Sequence, residues 1–132
     1  MEYPQEKPPY RQVEERVRDY REVETFLPQD RLEIQAARCM DCGIPYCHAF
    51  GCPVKNRIPE WNDMVHRKQW RKALALLHST CNLPEITGRV CPAPCQDGCN
   101  RNEVDDFVGI NSVEQFIGDT AIANGYGFGG IV

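Results

Sequence analysis

The chain has 132 residues and a net charge of −4, with 15 Lys and Arg against 19 Asp and Glu, ten prolines and eight cysteines. Its length suits one domain with a moderate core, and its basic residues, scattered singly or in pairs, argue against a nucleic-acid partner. The polar start from Met1 to Lys7 lacks a signal peptide's apolar region, and the longest apolar run, Ala73 to Leu77, is far too short to span a bilayer, so a cytosolic protein with no membrane contact is expected.

Residues 1–27 form the first unit. Pro4, Pro8 and Pro9 predict an extended arm, and the highly charged stretch from Tyr10 to Thr25 carries Val13, Val17 and Tyr20 at i, i+4 and i+7, which permits a helix with one narrow apolar stripe. Such a helix would lie on another surface or order against a partner. Pro28-Gln29-Asp30 opens a better helix, since Pro suits a first turn and Asp favours its positive end. Leu32, Ala36 and Cys39 then share a face, which puts the first thiol at the helix end, with Gly43 placed to stop the helix.

The run from Cys39 follows, with thiols at Cys39, Cys42, Cys47 and Cys52 spaced Cys-x2-Cys-x4-Cys-x4-Cys-Pro. Gly43, Pro45 and Gly51 break regular structure, so the backbone can wrap a small object. Beyond Pro53, Ile58, Trp61 and Val65 share one face, and Trp70, Ala73, Leu74 and Leu77 form a second stripe. A helical hairpin broken near Arg67-Lys68 accounts for both. Thr80 to Val90 is expected to be a connection, with Asn82, Pro84 and Gly88 as breakers. Cys91-x3-Cys95-x3-Cys99 comes next, where two prolines oppose a helix near Cys91 and Gln96 to Cys99 could make one turn. Asn111 or Ser112 can cap a final helix reaching about Asn124, with Val113, Ile117 and Ala121 on one face. Residues 125–132 form a Gly-rich tail or linker. Their formal G-x-G-x-x-G at Gly125, Gly127 and Gly130 follows a helix rather than a strand, so no nucleotide site is expected there. No strand pattern stands out, and the fold class expected is all-α with long cysteine-bearing loops.

In a reducing compartment clustered cysteines bind metal or do redox chemistry more often than they pair. Closely spaced thiols ending in Cys-Pro suit iron–sulfur clusters, in which each cubane iron takes one protein ligand, and a run of this kind often serves two clusters. Two cubanes need eight ligands. The simplest partition gives Cys39, Cys42, Cys47 and Cys52 to one cluster and Cys81, Cys91, Cys95 and Cys99 to the other. Against it, Cys52 precedes a Pro as a crossing ligand does, and Cys81 stands ten residues from its nearest fellow. Zinc is the competing metal, with Cys39-x2-Cys42 as one knuckle and Cys95-x3-Cys99 as the second, but that leaves Cys47, Cys52 and Cys91 without roles. A structural metal-binding interaction domain is therefore the alternative to an electron carrier. His48, His66 and His78 stand alone and are expected at the surface or in the core.

Three stretches carry a family resemblance: Arg38 to Cys47, then Gly51-Cys52-Pro53 with Asn56 to Asp63, and Gly88-Arg89-Val90-Cys91-Pro92-Ala93-Pro94-Cys95. Over roughly residues 28–124 the chain resembles the N-terminal iron–sulfur domain of the small (β) subunit of NADPH-dependent glutamate synthase, to which a domain of dihydropyrimidine dehydrogenase is related. The resemblance implies an α-helical ferredoxin-like fold holding two 4Fe-4S clusters. It implies crossed ligand sets, Cys39, Cys42, Cys47 and Cys99 for one cluster and Cys52, Cys91, Cys95 and Glu114 for the other, and gives Cys81 no role. It also implies electron transfer between a flavin- and NADPH-binding region and a partner redox centre such as the glutamate synthase large subunit. FAD and NADPH are expected only on a downstream region or a partner, and no complete catalytic site is expected in this chain alone. The residues themselves offer Glu114 a second role, as the N3 residue of a capping box with Asn111 as N-cap.

Overall fold

A computed structural model describes residues 2–126, and every regular element named among them is helical. The expected all-α class is observed. The remaining tail, including Gly127 and Gly130 of the G-x-G-x-x-G pattern, lies outside the described residues. None of the described helices is long and apolar enough to cross a membrane.

The charged N-terminal stretch corrects the expected helix. Only α1, Val13–Arg16, forms there. Val13, Val17 and Tyr20 are all exposed, so the apolar stripe has nothing to cover. Instead the segment turns back on itself. Tyr10 and Glu24 form an isolated antiparallel bridge, and Arg11 grips Asp19 with both Nη atoms, at 3.0 and 2.7 Å. Before this turn, the arm lies on the body. The Glu6 N–H donates to Gln35 Oε1 at 2.9 Å, and Gln5 Nε2 donates to the Phe107 carbonyl at 2.8 Å.

Helix α2, Gln29–Ala37, starts behind Pro28 and buries Leu32 and Ala36. It ends at Ala37 rather than at Gly43, so Cys39 lies beyond the helix in a loop whose Asp41 takes a left-handed φ of 49°. Helix α3, Ile58–His66, and α4, Trp70–His78, form the expected hairpin, with the reversal at Lys68, φ 60°. Ile58, Trp61, Val65, Ala73, Leu74 and Leu77 are buried as their spacing predicts. Each buried Val, Leu or Ile among them contributes about 1.5–3 kcal/mol by leaving water, and this hairpin is the centre of the core.

The expected connection from Thr80 to Val90 contains a helix, α5, Pro84–Val90. Pro84 begins it, because a first-turn residue needs no N–H partner. Gly88 sits inside it because α5 presses on α7, Ile110–Ala123. A Cβ on Gly88 would stand 2.6 Å from both Cα and Cβ of Gln115, and one on Gly118 would stand 2.5 Å from the Glu85 nitrogen. The two glycines let these helices meet backbone to backbone. Between them runs the single turn α6, Pro94–Asp97, a few residues earlier than the expected Gln96–Cys99, and then a 3-10 turn, Asn100–Glu103. Val113, Ile117 and Ala121 line the buried face of α7, which packs on α4 and α2.

Candidate metal centres

The two cysteine runs fold against each other. Cys47–Gly51 winds one π-helical turn, closed where the Cys52 N–H donates to the Cys47 carbonyl at 2.8 Å. Gly51 then meets α6, and a Cβ on it would lie 2.6 Å from Cys95 Cα. Only a residue without a side chain permits that approach. On the facing run, Ala93 takes a left-handed φ of 55° before Pro94. A non-glycine residue in that region costs about 1–2 kcal/mol, offset here where its N–H donates to Cys91 Sγ at 3.3 Å.

This arrangement distributes the thiols over two cavities. Cys39, Cys42, Cys47 and Cys99 line the first, whose wall also holds Ile58, Asn62, Arg101 and Ile110. Cys52, Cys91 and Cys95 line the second together with Glu114, Cys81 and Thr87. The simple partition by run is therefore not what the fold brings together. Cys99 joins the first run's cavity and Cys52 leaves it.

The electrostatics divide mainly in the same way. Burial pushes the Cys39 thiol up to about 11 and the Cys47 thiol up to about 12, and repulsion from the Cys99 and Cys42 thiolates adds to both. Cys95 is pushed up to about 12 by burial, then by Cys52, Glu114 and Cys91 and last by Cys47. Thiols raised this far hold their protons at neutral pH unless a cation shares the cavity, and binding a metal then releases them. The Asn56 N–H donates to Cys52 Sγ at 3.3 Å, a contact of the kind that tunes cluster sulfur.

Glu114 corrects the capping reading. Helix α7 starts at Ile110 behind Gly109, so Glu114 falls in the second turn, beyond reach of the first N–H groups. The Asn111 N–H is taken instead by Gln96 Oε1 at 3.0 Å. Glu114 is 7% exposed, and its Oε1 accepts from Thr87 Oγ1 at 2.5 Å and from Cys81 Sγ at 3.8 Å. Burial raises its carboxyl above the ordinary value, and these two donors partly offset the shift. Cys81, to which the resemblance gives no role, stands in the wall of the second cavity, 3.2 Å from Thr87 Oγ1.

The donor set fits an iron–sulfur cluster better than a single ion. All eight cysteines are free. Among the described residues no three His, Cys, Asp or Glu side chains converge closely enough to hold one ion. A tetrahedral zinc needs four donors about 2.0–2.3 Å from one point, whereas a cubane spreads its ligands over four separate irons. Donors ranged around a cavity suit the second. His48 is held to the Asn56 carbonyl through Nδ1 at 2.9 Å.

Sequence reasoning missed Thr87 and Arg101. Treating Pro84 as a helix start would have placed Thr87 one turn before Cys91, on the helix facing Glu114. Arg101, two residues after Cys99, carried no signal beyond that proximity.

Residues 16–126 match the protein family described as dihydropyrimidine dehydrogenase domain II, 4Fe-4S cluster. The glutamate synthase (NADPH) small chain of Mycobacterium tuberculosis is 50% identical over 119 residues, which cover 90% of this chain and 24% of that one. The Bacillus subtilis small chain is 42% identical over 134 residues, covering 96% and 27%. The glutamate synthase (NADH) of Schizosaccharomyces pombe is 46% identical over 127 residues, covering 96% and 6%. The chain thus spans about a quarter of the bacterial relatives' length and a far smaller part of the yeast protein. It belongs to the dihydropyrimidine dehydrogenase domain II family and is a 4Fe-4S cluster domain homologous to part of the glutamate synthase small chain.

Proposed function

We propose that this chain is an electron-transfer module carrying two 4Fe-4S clusters. Cys39, Cys42, Cys47 and Cys99 hold one, and Cys52, Cys91, Cys95 and Glu114 hold the other. The functional unit is residues 28–124, with 1–27 as an arm and 125–132 as a tail or linker. The observation that carries the reading is the pair of cavities, each lined by one of these sets of four. When bound, each cluster takes up or gives up one electron. The chain's own residues bind it through thiolates, stabilise sulfur with backbone N–H groups and keep water out with Ile58, Ile110 and the helices behind them. Thr87 fixes the Glu114 carboxylate, as ligating carboxylates usually require.

The electrons would pass between a flavin- and NADPH-binding region and a redox centre on a large subunit, within a cytoplasmic glutamate synthase-type oxidoreductase. Homology to glutamate synthase small chains, and the nicotinamide cofactor in the relatives' names, support this context.

The test is iron and acid-labile sulfide analysis of anaerobically purified protein, repeated on Glu114→Gln. About eight iron and eight sulfide per chain are expected, with one cluster's spectrum and potential altered in the variant and the other's unchanged. One zinc without sulfide would make the chain a structural metal-binding domain instead. Unaltered spectra and potentials in Glu114→Gln would remove Glu114 from the ligand set.

A further inference from the structure

Behind the first cavity lie two enclosed arginines that neither ligand set uses. The Arg38 side chain is fully enclosed, and it donates to the carbonyls of Tyr3, Phe107 and Asp106 at 3.1, 2.9 and 2.9 Å and to Asp105 Oδ1 at 3.3 Å. Arg101, 6% exposed, holds the same carboxylate in a fork, Nε to Oδ1 at 2.7 Å and Nη2 to Oδ2 at 3.1 Å, and its Nη1 donates to the Arg38 carbonyl. The bond from Arg101 holds the Asp105 carboxyl well below its usual range, and Arg38 adds to the effect. Arginine does not deprotonate in proteins. The trio is therefore two guanidiniums and one carboxylate, with a net charge of +1.

That charge lies on one side of the domain. Arg101 is in the wall of the first cavity and feels the thiolates of Cys99 and Cys39, whereas the one carboxylate that acts on Cys39, Asp41, is exposed and screened by solvent. The wall of the second cavity has no Lys or Arg among the described residues and includes the carboxylate of Glu114. Enclosing charge is costly where apolar packing would serve, and here the enclosed charge stands against one thiol set only. A cluster with four anionic ligands is negative overall and gains one more negative charge on reduction. A fixed positive charge nearby, in a medium of low dielectric, stabilises the reduced form more than the oxidised one.

We infer that the Arg38–Asp105–Arg101 trio raises the reduction potential of the cluster at Cys39, Cys42, Cys47 and Cys99, leaving the other cluster largely untouched. This rests on the two-cluster reading above.

The test is a dye-mediated dithionite titration of anaerobically purified protein, followed by electron paramagnetic resonance. Iron and sulfide are counted first, so a failure of the two-cluster reading appears there and not in the potentials. The first cluster is the signal that Glu114→Gln leaves unchanged. Arg101→Gln should lower its midpoint, Asp105→Asn should raise it, and Arg101→Lys should bring it back towards the parent value. Loss of packing does not produce shifts of opposite sign from two partners in one ion pair. If Arg101→Gln loses its iron, the near-isosteric Asp105→Asn decides alone. Midpoints that stay put, move in the same direction in both variants, or move equally for both clusters overturn the inference.

Discussion

Gly88→Ala is the sharpest probe of how the helices hold the second site. The new methyl would meet Gln115 Cα and Cβ at 2.6 Å and its nitrogen at 2.7 Å. Carbon atoms rest about 3.5–4.0 Å apart, so α5 and α7 must separate by about 1 Å. Backbone atoms cannot rotate aside as a side-chain end can. Overpacking of this kind costs about 1–3 kcal/mol, while replacing a helical glycine by alanine returns about 1 kcal/mol. The net expectation is a loss of about 0–2 kcal/mol. The functional effect should be more selective than the loss of stability. Thr87 precedes Gly88 and donates to Glu114 at 2.5 Å, so a separation of about 1 Å stretches that bond to the limit of a hydrogen bond. The second cluster should therefore become labile while the first persists. Iron and sulfide content, cluster spectra and chemical denaturation of the anaerobic protein measure this, with Gly43→Ala as control because a methyl there meets nothing within 4 Å. If Gly88→Ala matches the parent in stability and keeps both cluster signals, the backbone contact does not support the site and the reasoning is wrong.

Two further outcomes follow from the placement of the thiols. Cys81→Ser should keep the iron of both clusters, because a hydroxyl can still donate to Glu114, whereas Cys99→Ser should lose about half the iron; the reverse pattern would refute the crossed ligand sets. Removing iron with a chelator should cost amide protection in residues 39–56 and 88–109, as those loops lose what their thiols share, while the α3–α4 hairpin keeps its protection around Trp61, Val65 and Leu77. Hydrogen exchange that is unchanged in the cysteine loops after complete removal would contradict that coupling.

Helices α2, α3 and α4 were legible because each carries an apolar face that its neighbours bury, and a period in the sequence records such a face directly. Helix α5 was not, since Pro84 and Gly88 stop a helix in general and here start one and let it pack. What makes Gly88 tolerable is Gln115, and no local window contains both. The charged stretch after Tyr10 failed for the opposite reason. Its spacing fits a helix, but nothing covers the stripe, and Arg11 with Asp19 closes a turn instead. The seven proposed thiolate ligands were visible as a set, yet their partition into two sites came from the resemblance, because the residues argued against one site per run without naming the crossed sets. Glu114 shows the limit most clearly. Its capping role depended on where α7 begins, and burial of Ile110 moves that start one residue ahead of Asn111.

If the chain carries two clusters as proposed, the π-turn at Cys47–Gly51 has a consequence for charge movement. Its closing bond runs from the Cys52 N–H to the Cys47 carbonyl at 2.8 Å, and these two cysteines face different cavities. With both sites loaded, an electron crossing between them has a route of covalent bonds interrupted by that one hydrogen bond, with no solvent gap to tunnel through. The same short link makes the two sites mechanically one. A residue inserted between Cys47 and Cys52 would break the turn, lengthen the route and misalign two sulfurs at once, so this five-residue spacing is where the wiring of the domain is least able to drift.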